Sequence, residues 1–169
     1  MQLTHHSTKF EKTIYPITLV CDNVTNAPNI GSLFRVADAF GLEKLILCGD
    51  HIHLGRKMTK TSRSTEKYVL FEIVDSTYDM VNLLKKKGYQ VIALELTALS
   101  HSLYNYKFET ESRMALVVGD ENFGISEDVL KLSDAVIHID MFGNNSSMNV
   151  VQATSIALFE IIKQMRSPN

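Results

Sequence analysis

Residues 114–126 read Met-Ala-Leu-Val-Val-Gly-Asp-Glu-Asn-Phe-Gly-Ile-Ser, and Glu127 and Asp128 follow. The run 114–118 is apolar without alternation, as a strand buried on both faces of a parallel sheet should be. It breaks at Gly119 into a polar turn with a second glycine at 124. Ser126 and the two acids then open a helix with a capping residue and charges matched to its dipole. A buried strand handing over to a helix through a short turn is the repeating unit of an α/β domain.

The same grammar extends outward in both directions. Strand-like runs occur at 17–22, 44–48, 68–74, 90–95, 114–119 and 135–139, most of them continuously apolar. Between them, Ile30, Leu33, Phe34, Ala37 and Phe40 form one stripe of a helix over 30–41, and 77–87 ends in lysines before Gly88, a helix C-terminal signature. A short helix is expected at 126–132. The alternation predicts a mostly parallel sheet with helices on both faces. The last helix, 148–166, is apolar nearly all round, with Val150, Val151, Ile156, Leu158, Phe159, Ile161 and Ile162 among its residues. Such a helix should be buried on more than one side, so a partner subunit is expected to cover it.

Length and composition agree. A chain of 169 residues, 45% hydrophobic and 21% charged, suits one domain over 1–169, with 1–16 a short N-terminal extension, and excludes disordered and fibrous classes. No apolar run approaches the roughly 20 residues that cross a bilayer. The start, MQLTHHSTKFEKT, is polar, so a soluble cytoplasmic protein with no membrane association is expected. Cys21 and Cys48 end apolar segments and read as buried, reduced thiols. Cys48, His51 and His53 lack a fourth ligand for a metal, and none is expected. His5, His6, His101 and His138 are scattered and take no role.

A net charge of −2 argues against a nonspecific polyanion binder. The charge is uneven, however. Segment 49–67 reads as a long loop, and over its residues 56–67 Arg56, Lys57, Lys60, Arg63 and Lys67 face one acid, Glu66. That local +4 leaves −6 for the rest of the chain. Such a run is either a solvated loop or a phosphate contact, with Arg56, Lys57, Lys60 and Arg63 as the candidate RNA-binding residues.

Three constellations carry possible chemistry. Neither GxGxxG nor GxxxxGK[ST] follows the first strand, so the usual nucleotide cradles are missing. Instead comes Asn29, a good N-cap, with Arg35 about 9 Å further along the helix and leaning back toward the sheet's carboxyl edge. Taken alone this is equally a cap plus a surface salt bridge to Asp38. The second is Gly119 to Ser126, in which Glu121 sits at that edge and the glycines allow close backbone approach, or which is simply a strand-to-helix turn. The third is Asn144 to Asn149 at the start of the last helix, an anion or hydroxyl grip or plain capping by Ser147.

Together the three resemble the motifs of the SpoU (TrmH) family of RNA ribose 2′-O-methyltransferases. Asn29, Arg35 and Ala37-Asp38-Ala39-Phe40-Gly41 match the first, Gly119, Glu121, Gly124, Ile125 and Ser126 the second, and Ser147-Met148-Asn149-Val150 the third, with Met in place of Leu. The resemblance covers 17–165. It implies a C-terminal trefoil knot, a homodimer through the C-terminal helix, and S-adenosyl-L-methionine held by Leu94, Gly119, Ile139, Met141, Ser147 and Met148. It implies catalytic roles for Arg35, Asn29, Glu121, Ser147 and Asn149 in methyl transfer to a ribose 2′-hydroxyl. Arginine stays protonated, so Arg35 is expected to anchor phosphate or stabilise an alkoxide rather than act as a base. About 16 residues precede the first strand and about four follow the last helix, so the chain resembles the compact members of that family, which implies tRNA as the substrate with rRNA as the alternative. The alternative from another class is an RNA-binding, ribosome-associated protein without catalysis.

Overall fold

The structure, a computed structural model, describes residues 10–167; His5, His6 and the first nine residues of the expected N-terminal extension lie outside them. In chain order the elements are β1 (Tyr15–Asp22), α1 (Ala27–Ala39), β2 (Leu42–Cys48), α2 (Arg56–Ser62), β3 (Phe71–Val74), α3 (Thr77–Lys86), β4 (Gln90–Leu94), β5 (His101–Ser102), β6 (Met114–Gly119), α4 (Glu127–Leu132), β7 (Ala135–His138) and α5 (Val150–Arg166). The strands form one sheet in the order β3-β2-β1-β6-β4-β7-β5, and every pairing is parallel.

Alternation along each central strand divides the core. Ile17, Leu19, Cys21, Met114, Leu116 and Val118 pack on one face with Leu33 and Phe34 of α1, Met58 of α2 and Leu158 and Ile161 of α5. Val20, Ala115 and Val117 pack on the other with Val81 and Leu84 of α3 and Val129 of α4. Helices therefore cover both faces. This is why the strands read as unbroken apolar runs.

The two cysteines are buried free thiols, one on each face. Burial holds Cys21 well above the ordinary thiol pKa and pushes Cys48 up to about 12, so both stay protonated and are poor nucleophiles.

Three local expectations are corrected. Segment 49–67 is not a loop throughout, because 56–62 is helical and a single 3-10 turn follows at Thr65–Lys67. Its buried stripe is only Met58 and Ser62, one of them polar, so periodicity does not reveal it. Gly31 makes room for it: a Cβ there would lie 2.5 Å from the Met58 carbonyl oxygen and 2.8 Å from Thr61 Cβ. The helix after β1 is capped by Asn26, whose side chain accepts from the Asn29 N–H at 3.1 Å, and not by Asn29. The last helix is capped by Asn149, accepting from the Val151 N–H at 2.9 Å, and not by Ser147.

Candidate active site

The carboxyl ends of the central strands are in register. Asp22 pairs with Gly119 across β1 and β6, and Leu94 pairs with Val118 and Ile137 across β4, β6 and β7. In parallel sheets this edge collects ligands, above all where strand order reverses. Here β6 lies between the first strand and β4, and the turns beyond β4, β6 and β7 enclose a cavity of about 480 Å³. That is within the usual range for a small-molecule site. Leu94, Gly119, Ile139, Met141, Ser147 and Met148, the six residues expected to hold a cofactor, all line it. Apolar side chains supply walls for a flat ring, and Ser147 and the exposed loop backbone supply polar groups.

The turn leaving β6 is held from both flanks. Asp22, only 2% exposed, accepts from Thr77 Oγ1 at 2.6 Å, Asn23 Nδ2 at 2.9 Å, and both the N–H and the hydroxyl of Ser126 at 2.9 Å. Ser126 thus starts α4 as expected, yet its side chain bonds Asp22 rather than its own helix. On the other flank Glu95, just past β4, accepts from the Ile125 N–H at 3.0 Å and the Leu96 N–H at 2.9 Å. Gly124 adopts φ +66, and a Cβ there would overlap the Glu95 carboxylate; a Cβ on Gly119 would overlap the Gly124 backbone. Gly119 is required by backbone approach, and Gly124 by its positive φ with the Glu95 carboxylate against it.

The capping pattern frees the motif side chains. Since Asn26 caps α1, the side-chain carbonyl oxygen of Asn29 is available, and Asn149 Nδ2 donates to it at 3.2 Å. The same Nδ2 donates to Glu121 Oε1, while Asn149 Oδ1 caps α5. Asn29, Glu121 and Asn149, from three separate segments, are therefore one hydrogen-bonded cluster beside the cavity, whose wall includes Glu121 and Ser147. Arg35 is exposed on α1 and enters no ion pair among the described residues, so the surface bridge to Asp38 of the alternative reading does not form.

Three positioning residues escape the sequence reading. Asp22 and Glu95 are the clasps just described. His138 also lines the cavity, with Nδ1 2.9 Å from Ser100 Oγ and Nε2 3.5 Å from Asp140. Their common sign is position: each ends or immediately follows a strand at the sheet's carboxyl edge.

On α2, Arg56, Lys57 and Lys60 are exposed, as is Arg63 directly after it, and none is in an ion pair among the described residues. The sole acid, Glu66, is bonded by the buried Ser62 hydroxyl instead. No helix among the described residues is long and apolar enough to cross a membrane. No group of three or more His, Cys, Asp or Glu among them is arranged for a metal.

Known proteins share these features. Residues 16–159 match the model of the SpoU rRNA Methylase family. The chain is 30% identical over 165 residues to a 23S rRNA (guanosine-2′-O-)-methyltransferase RlmB of Blochmanniella floridana, covering 97% of this chain and 64% of that protein. It is 31% identical over 159 residues to a tRNA (guanosine(18)-2′-O)-methyltransferase of Aquifex aeolicus, covering 91% and 72%. The crystal structure of an A. aeolicus TrmH/SpoU tRNA modifying enzyme matches with a TM-score of 0.81 at 29% identity, over 91% of this chain and 77% of that one. The chain thus spans less than two thirds of the length of the rRNA relative and nearly three quarters of the tRNA one.

Proposed function

The chain belongs to the SpoU rRNA methylase family, and from that premise we propose that it is an RNA ribose 2′-O-methyltransferase using S-adenosyl-L-methionine, with tRNA as its first substrate. The observation that carries this reading is the joining of Asn29, Glu121 and Asn149 by hydrogen bonds beside a cavity lined by all six expected cofactor residues. Such a cluster is preorganised before substrate arrives, which is what alignment of a reacting hydroxyl demands.

When bound, the cofactor supplies an electrophilic methyl group, so the protein must orient a ribose hydroxyl and manage its proton. The apolar walls formed by Leu94, Ile139, Met141 and Met148 would exclude water from a bound cofactor. Ser147, on the cavity wall, would offer its hydroxyl to cofactor or substrate. Glu121 offers an acceptor to the ribose, and Asn149, whose Nδ2 donates to both Glu121 and Asn29, holds that carboxylate in place. Arg35, with no ionic partner among the described residues, is free to meet a phosphate or the developing alkoxide. Arg56, Lys57, Lys60 and Arg63 would hold phosphates further along the RNA.

Two structural readings accompany this one. We infer that the segments beyond β4, β6 and β7, which share one cavity, thread as a trefoil knot. The chain also pairs as a homodimer through α5, which buries Leu158, Ile161 and Ile162 within its own core while Phe159 stays 63% exposed and Ile156 43%. Phe159→Asp is expected to shift sedimentation from dimer to monomer.

The deciding experiment measures methyl transfer to tRNA and to 23S rRNA by nucleoside mass spectrometry, beside titration calorimetry with S-adenosylhomocysteine. Arg35→Ala is expected to lose at least about 100-fold in transfer, the scale of removing one transition-state donor, with cofactor affinity nearly intact. Full activity in that variant would sink the assignment of Arg35. Absence of transfer by the wild-type chain to either RNA would favour a non-catalytic RNA-binding protein.

A further inference from the structure

The turn after β6 carries a feature that cofactor binding and the polar cluster leave unused. Phe123 lies at its tip, two residues from Glu121, lines the cavity rim and yet is 90% exposed. Its presentation is rigid. Asp120 Oδ1 accepts from the Asn122 N–H at 2.8 Å and the Phe123 N–H at 3.2 Å, and the Asp120 carbonyl accepts from the Gly124 N–H at 2.8 Å. The Ile125 N–H goes to Glu95 and the Ser126 N–H to Asp22. The consecutive backbone N–H groups from 122 to 126 are thus all committed within the chain.

That commitment decides what the turn can recognise. With its N–H groups from 122 to 126 committed it is not an anion nest, and the carboxylates of Asp120 and Glu121 repel a phosphate. What it offers outward is an aromatic ring on a hydrogen-bonded backbone, with only the ring's two side-chain torsions left to order on binding. The matching partner is a flat, uncharged surface. Resting on the methyltransferase reading above, we propose that Phe123 is a stacking platform for an unpaired nucleobase of the RNA at or beside the target ribose, so that the turn grips the base while the cations of α1 and α2 grip the backbone. RNA single strands are recognised in this way on aromatic faces, each stacked base contributing about 5- to 100-fold in affinity.

The chain has no tryptophan, so Phe123→Trp installs a single reporter at the tip. With S-adenosylhomocysteine already bound, its emission is expected to be quenched further when unmodified tRNA or 23S rRNA transcript is added. Phe123→Ala is expected to raise the RNA KM about 5- to 100-fold, with the loss falling on KM more than on kcat. Phe123→Trp should restore it and Phe123→Leu should not. Unquenched emission would overturn the proposal, as would an unchanged KM in Phe123→Ala or full rescue by leucine. Loss of self-association in Phe123→Ala would assign the ring to a second copy of the chain and also overturn it. A wild-type chain that transfers methyl to RNA while Phe123→Ala matches its KM defeats the stacking alone. A wild-type chain without transfer defeats the functional reading beneath it.

Discussion

The turn Gly119–Ser126 and the segment Arg56–Lys67 are the two parts of the molecule most plainly shaped for a partner, and they are built by opposite means. The turn is over-determined. Two carboxylates from the flanking strand ends hold it, its successive amides from 122 to 126 are bonded, and two glycines permit an approach that no side chain would. The basic segment buries only Met58 and Ser62 against α1, and Arg56, Lys57, Lys60 and Arg63 are exposed to solvent without an ionic partner among the described residues. One region fixes positions, and the other offers a field. Chemistry on a ribose needs the first kind of surface, and holding a flexible polyanion needs the second.

The difference is tested hardest at Asp22. Replacing it with alanine leaves the Thr77 hydroxyl and the Ser126 N–H without their acceptor. Losing a charged, fully bonded partner of this sort costs about 3 kcal/mol, or roughly 6–12 °C in Tm for a chain of this size. The Asn variant should fall in between, since its amide N–H₂ meets donors on every side. Differential scanning calorimetry gives the measurement, and calorimetric titration with S-adenosylhomocysteine should weaken in parallel because Gly119 lines the cavity. A Tm unchanged within about 2 °C, well below that range, would mean that the turn is held by β6 and α4 alone, and the contrast with the basic segment would collapse.

The two regions also differ in how far the amino-acid sequence discloses them. Unbroken apolar strands and the glycine-bounded turn are legible because burial on both sheet faces and backbone close approach leave local marks, and so the sheet, the helix layers and the motif residues can be placed from sequence. Asp22 cannot, although it lies between Cys21 and Asn23 in plain view. Its burial is created by Thr77 and Ser126, which are 55 and 104 positions away. Asn29 and Asn149 show the same limit in another form. Either amide is an acceptable cap, and only the structure shows Asn26 taking the first role and Asn149 combining the second with a bridge to Glu121. The basic segment is legible as charge and illegible as helix, because a two-turn helix with one apolar anchor has too short a period to detect.

The smaller effect belongs to that helix. Lys57, Lys60 and Arg63 are exposed and unpaired among the described residues, so changing all three to glutamine removes charge while leaving every ion pair intact. Stability should therefore stay within about 0.5 kcal/mol of wild type, the ordinary range for surface substitutions away from special features. Affinity for S-adenosylhomocysteine should also hold, since none of the three lines the cavity. RNA binding should weaken by about 10-fold or more at moderate salt, and the slope of log K against log salt should fall by roughly 2 to 3, close to one for each phosphate no longer neutralised. Filter binding of tRNA across a salt series measures both. Weaker binding with an unaltered slope would mean that the cations support the shape of α2 rather than meet phosphate, and an unaltered affinity would leave them as a solvated face. The expected pattern separates the two regions cleanly: in the turn, one buried carboxylate governs stability and cofactor binding together, whereas on α2 three charges govern RNA affinity and nothing else.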